Sequence, residues 1–190
     1  MGTEKFPKPV TSEDSTMALV ARFRSGDHQV LHTLYSRYLA PFQRWVKCRT
    51  PAWASDSIRT ENLVEKTLYQ SLDNRKRERW SPRCFQSHLR WSILDCLEDE
   101  LRLITPHRKG TAPSRSSALE RVIGRRSYNR YESALRRLAD EDREVIIARI
   151  ELNFSYSKVA AVLGKSNPEE AREALIQALQ RLAQEMGSSP

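Results

Sequence analysis

From Ser15 to Met186 the apolar residues recur at intervals of three and four, and nowhere do they alternate over the length of a strand. That spacing lines one face of an α-helix. It is cleanest near the end, where Ala171, Ala174, Leu175, Ala178, Leu179, Leu182, Ala183 and Met186 keep it without a miss. No Asn-Gly or Asp-Gly pair offers a hairpin turn. The chain is therefore expected to be all-α.

One stretch breaks the pattern. Thr105 to Ser117 holds two prolines, a glycine and many hydroxyl residues without hydrophobic periodicity, the composition of a tether. The expected organisation is a disordered tail over 1–14, a helical domain over 15–104, a basic linker over 105–129 and a second helical domain over 130–187. The two small domains are expected to be joined by a flexible linker, the second being a helix-turn-helix.

Start and stop signals place the helices. Ser15 caps a short helix that Ser25-Gly26 ends, and Asp27 starts a longer one that Pro41 kinks. Thr60 caps a third. Ser81-Pro82 supplies a cap with proline at the first helical position, after which Phe85, Leu89, Ile93, Leu97 and Leu101 form a stripe. Asp140 opens a helix whose Val145, Ile146 and Ile150 are expected to face a core. Ser155 caps a short helix that Gly164 ends, and Asn167-Pro168-Glu169-Glu170 makes a capping-box start for the last one.

Charge points to a partner. Lys and Arg number 32 against 24 Asp and Glu, a net +8 with a pI near 9.7. The excess is uneven: 15 basic and 10 acidic groups over 15–104, 6 and 1 over 105–129, but 9 and 10 over 130–190. Such a surplus suits a polyanion, nucleic acid before membrane, since no basic amphipathic anchor accompanies it. No apolar run is long enough for a bilayer and the first residues lack a leader's apolar stretch, so a cytoplasmic protein without membrane insertion is expected.

Chemistry is sparse. Cys48, Cys84 and Cys96 form no Cys-x-x-Cys pair and read as small apolar core residues, and the four histidines make no metal set. Gly164-Lys165-Ser166 resembles the end of a phosphate loop, but Val159 stands where its first glycine belongs. No catalytic residue, metal or cofactor is expected, and the chain is not read as an enzyme.

Two segments suit nucleic acid. The short helix, glycine turn and longer helix near the C-terminus have a helix-turn-helix layout, with Glu169, Arg172, Glu173, Ile176, Gln177, Gln180 and Arg181 outward. Arg172 and Gln177 could read guanine or adenine edges, while the acidic neighbours weaken phosphate contact. Helix hairpins also serve as plain scaffolding, which leaves DNA binding open on this ground. The run Arg75, Lys76, Arg77, Arg79 and Trp80 combines cations with a ring for stacking, a single-strand pattern, or is a solvated loop whose tryptophan packs on the core.

Taken in order, these pieces resemble a known family. Ala21 to Asp27 leading to Leu34-Tyr35-Ser36-Arg37-Tyr38, then Thr60 to Val64, Phe85 to Arg102, Ala118 to Gly124, Tyr131 to Leu135, Asp142 to Ile146 and Phe154 to Ala160 are similar, in order and spacing, to the small two-domain sigma factors of bacterial RNA polymerase, the extracytoplasmic-function (ECF) group of the sigma-70 family. The resemblance implies promoter-specific initiation without catalysis. It implies that Glu61, Asn62, Leu63, Val64 and Glu65 dock on a coiled coil of the polymerase β′ subunit. It assigns the melted minus-ten element to Arg75, Lys76, Arg77, Arg79 and Trp80 and to an outward face with Arg83, Arg90 and Trp91. It assigns the minus-thirty-five element to Lys165, Ser166, Arg172 and Gln177. The implied partners are core RNA polymerase and promoter DNA, with an anti-sigma factor as a further candidate. The docking motif departs from the usual one at Asn62 and Glu65, where an acid and a glutamine are common. Two alternatives stay open: a diverged sigma-like regulatory protein without promoter recognition, and a stand-alone helix-turn-helix DNA binder.

Overall fold

A computed structural model describes residues 14–72, 81–104 and 118–187. Among them every regular element is helical, as the periodicity requires.

The first half holds α1 (Thr16–Arg24), α2 (Val30–Lys47), α3 (Thr60–Leu72) and α4 (Phe85–Ile104). Local chemistry sets their ends. Ser15 Oγ accepts from the Ala18 N–H at 3.2 Å, and Gly26 at φ +102° reverses the chain after α1 in a conformation that L side chains rarely adopt. Asp27 accepts from the Gln29 N–H at 3.1 Å and takes the Arg22 guanidinium at 2.7 Å, fixing the entry to α2. Pro41 lies buried inside α2, and the helix runs through it to Lys47. A 3-10 turn over Pro82–Cys84, capped by Ser81, leads into α4. The apolar stripes meet in a core that includes Leu34, Tyr38, Phe42, Val64, Leu89 and Ile93, all fully buried.

The second half holds α5 (Ala118–Ile123), α6 (Arg125–Arg137), α7 (Asp140–Ile146), a π turn (Ile147–Glu151), α8 (Tyr156–Leu163) and α9 (Pro168–Gly187). Residues 118–129 are thus helical apart from Gly124 at φ +81°, whereas the sequence suggested a linker there. Residues 105–117, the rest of that stretch, lie outside the described residues, as do 1–13 of the expected tail.

Three details correct the sequence reading. Ile150 is 53% exposed, because the π turn, closed by the Leu152 N–H to Ile147 C=O bond, replaces the three-four register that would have stacked Ile150 beneath Ile146. Leu179 is 38% exposed and Ala183 is also exposed: the part of α9 that is covered is narrower than its apolar stripe. Cys48 is exposed and Cys84 and Cys96 are only half-buried, so none of the three is a core residue.

The halves do not merely share a chain. Tyr38 of α2 approaches Phe154, with ring centroids 6.1 Å apart, and Glu144 of α7 reaches the start of α4. Its carboxylate accepts from the backbone N–H groups of Gln86 at 3.1 Å and Ser87 at 2.8 Å, capping one half's helix from the other half. An anion there also meets the positive end of the helix dipole. The two halves meet in a buried interface.

Candidate nucleic-acid and partner interfaces

The helix-turn-helix is built as its caps dictate. Ser155 Oγ accepts from the Lys158 N–H at 3.2 Å to start α8, and Gly164 ends it in the left-handed conformation at φ +68°. Asn167 Oδ1 then accepts from the Glu170 N–H at 2.8 Å, while Glu170 reaches back to the Ser166 N–H at 2.7 Å. The Ser166 N–H, followed by Lys165, holds the Glu170 carboxyl below its ordinary range.

The outward residues expected of α9, including Arg172 and Gln177, are all exposed apart from the buried side of the stripe. Ser166 is exposed, and Lys165 is half-buried 3.6 Å from Glu170. Arg172 stands 3.6 Å from Glu169, and Arg181 donates to Asp142 at 2.6 Å, tying α9 to α7. Lys165, Arg172 and Arg181 are therefore matched by Glu169, Glu170 and Glu173. A face without net charge gains little from counterion release on duplex DNA, so any recognition here must come from base edges.

On α3 the five motif residues divide. Leu63 and Val64 point into the core, 8% and 0% exposed, and only Glu61, Asn62 and Glu65 face solvent. Tyr69 joins Glu61 and Glu65 on one strip at four-residue spacing and is 67% exposed. Its place at i+4 from Glu65 was readable in the sequence but was passed over.

Around α4 the outcome is uneven. Arg75, Lys76, Arg77, Arg79 and Trp80 lie outside the described residues. Arg83 is exposed. Arg90, expected on an outward face, is instead fully buried. Its guanidinium donates to Glu132 of α6 (2.9 Å for one arm) and to Glu151 of the π turn (2.7 and 3.0 Å). Arg49, stacked 4.0 Å above the Trp45 ring, adds a contact to Glu151 at 3.3 Å, and the Tyr131 hydroxyl donates to the same carboxylate at 2.9 Å. Burial opposes the charge on Arg90, yet Glu151 and Glu132 hold its pKa above the ordinary value. Burial likewise opposes ionisation of Glu151, and Arg90 and Arg49 still keep it below the usual carboxylate range.

Trp91 is half-buried in the same interface. Arg136 and Arg143 of the second half lie 5.0 and 5.2 Å from its ring centroid. Its indole N–H is buried without a hydrogen-bond partner. Trp91 also lines a groove of about 420 Å³ between α3 and α4, with Thr67, Gln70, Ser71, His88, Ser92 and Asp95.

Among the described residues no group of three His, Cys, Asp or Glu side chains could hold a metal ion, and no helix is long and apolar enough to cross a membrane.

No protein-family profile matches the sequence, and no curated protein does. Among solved structures, that of CnrH in complex with the cytosolic domain of CnrY is similar at 21% identity, over 93% of this chain and 100% of that one, with a TM-score of 0.39. That likeness is too distant to assign a family.

Proposed function

We propose that the chain is a sigma-type factor that joins core RNA polymerase and directs promoter-specific initiation. The observation that carries the reading is the helix-turn-helix of α8 and α9, with Arg172 and Gln177 exposed, behind a first half whose α3 presents Glu61, Asn62, Glu65 and Tyr69 to a partner. In this reading α3 docks on the β′ coiled coil. The basic residues from Arg75 to Trp80, with Arg83, meet the melted strand, and the groove beside Trp91 is large enough to receive an unstacked base. The role belongs to the cytoplasm, involves no catalysis by this chain, and leaves the exposed strips available to an anti-sigma factor.

Co-elution of the purified chain with bacterial core RNA polymerase at near-physiological salt tests the reading, followed by run-off transcription from a promoter library. A stable equimolar complex that initiates at defined start sites is expected. A folded chain that forms no complex overturns the proposal and leaves the stand-alone DNA binder. A second reading, a sigma-like regulator without promoter recognition, is favoured by the charge-neutral face of α9. It is distinguished by a complex that forms but does not initiate.

A further inference from the structure

Gln86 stands in the first turn of α4 and is fully buried, where a polar side chain is ordinarily hydrogen-bonded. Both polar atoms of its carboxamide lack a hydrogen-bond partner among the described residues. The side chain lines a cavity of about 290 Å³ that neither half of the chain builds alone. Met17 of α1 and Pro82 at the entry to α4 line it from one half, Val162 and Leu163 of α8 from the other. That volume lies near the lower end of the roughly 300–1,000 Å³ found for small-molecule pockets.

The polar groups narrow what fits. Glu144 lines the same cavity, and its two oxygens already accept from the backbone N–H groups of Gln86 and Ser87. Nearer solvent, Arg83 and Lys165 stand against Glu141 and Glu170, so the opening carries no net charge. A carboxylate ligand would meet Glu144 and could only accept, leaving the Gln86 carbonyl unpaired. An ammonium could only donate, leaving the Gln86 NH₂ unpaired. A cis amide does both, donating its N–H to Oε1 while its C=O accepts from Nε2. Ordinary peptide bonds are trans, whereas a small ring fixes its amide cis and adds apolar carbons. We propose that this cavity binds a neutral cyclic amide, a lactam or imide, through a two-point hydrogen bond to the Gln86 carboxamide, with the ring against Met17, Pro82 and Leu163.

Two lactams test this on the natural full-length chain. Caprolactam carries the N–H, and N-methylcaprolactam lacks it on the same ring. Each is titrated into isotope-labelled protein while NMR follows the side-chain NH₂ of Gln86 and the backbone amides of Met17, Gly164 and Lys165. Caprolactam is expected to shift all of them saturably, with a Kd of about 1 mM or below. N-methylcaprolactam is expected to bind at least about tenfold more weakly, since it leaves the Gln86 carbonyl unpaired. Equal affinity for the two lactams, or shifts that leave the Gln86 NH₂ unmoved, overturns the proposal. So does an ordered water that keeps its cross-relaxation with that NH₂ in excess caprolactam, which would make water the occupant.

Two variants add to the comparison. Gln86→Leu removes both polar atoms at similar bulk, so it is expected to keep or raise the thermal midpoint and to lose caprolactam binding. Its spectrum also identifies the Gln86 NH₂ signal by its loss. Met17→Trp, on the exposed wall, is expected to narrow the opening and weaken binding several-fold while the core stays as it is. Undiminished binding in either variant overturns the proposal. The inference goes beyond the proposed function and does not rest on it. Neither polymerase nor nucleic acid takes part in these titrations, so their outcome stands apart from the co-elution result.

Discussion

Arg90 of α4 and Arg172 of α9 both read, in sequence, as outward cations on helices that meet DNA, and the fold treats them in opposite ways. Arg172 stays in solvent with Glu169 beside it at 3.6 Å. Arg90 is sealed between halves and held by two carboxylates from distant parts of the chain. An exposed pair of the first kind contributes roughly 0–1 kcal/mol and leaves its cation available. A buried set of the second kind makes the cation structural. The lesson is that a cation's role follows from which surface is covered, and coverage is a tertiary property.

The comparison breaks most visibly under Arg90→Met. The substitution leaves Glu132 and Glu151 facing a buried apolar side chain, and a loss of about 3–5 kcal/mol is expected. Urea denaturation followed by circular dichroism would register it, while Arg172→Met in the same assay is expected to stay within about 0.5 kcal/mol. Equal losses would erase the contrast.

Glu144 sharpens it with pH. Burial raises its carboxyl from the ordinary 4.5 to about 7, against the hydrogen bonds from Ser87 and Gln86. Tyr38 of α2 and Cys84 at the entry to α4 feel its charge, and Arg83, Glu141, Lys165 and Glu170 line the same cavity. A proton held more tightly in the folded chain than in the unfolded one stabilises the fold at low pH. That contribution is expected to fall by about 3 kcal/mol as pH rises from 4.5 through 7, and then to level off. Urea midpoints across pH should show the slope in the natural chain and a flat line in Glu144→Gln. Glu151, held low by its arginines, acts the other way, and its contribution is lost only in acid.

Smaller effects belong to the exposed faces. Arg172→Ala is expected to cost about 1–3 kcal/mol at one upstream position if it reads a base, seen by footprinting, with stability unchanged. Glu65→Lys, rather than a change at the buried Leu63, is the clean probe of docking on α3. It is expected to weaken polymerase binding several-fold, about 1 kcal/mol, without shifting the thermal midpoint. Leu63→Asp would place a charge in the core and confuse unfolding with lost binding.

How much of this was legible follows from distance along the chain. Ser15, Ser155 and Asn167 form the caps expected of them, since each bonds a group three residues away. The apolar stripe of α4 was equally plain. The interface was not: Arg90 finds its partners 42 and 61 residues on, and Glu132 and Glu151 look in sequence like ordinary solvated positions. A faint signal did exist. Gln86, Ser87 and Arg90 lie beside the apolar stripe at three-four spacing, and all are buried, as a second face would be. The π turn was invisible because nothing in Ile147 to Glu151 marks a wider turn, and it carried Ile150 to the surface. The helical stretch from Ala118 was missed because a basic composition outweighed a short periodic run.

The clamp around Arg90 contains two guanidiniums and two carboxylates and therefore has no net charge. Mobile ions reach such a set poorly, so added salt hardly screens it, whereas contacts with a polyanion weaken steeply as salt rises. Ionic strength then acts as a one-sided selector. A rise in salt is then expected to weaken any contact with a polyanion while the buried clamp between the two halves keeps its strength.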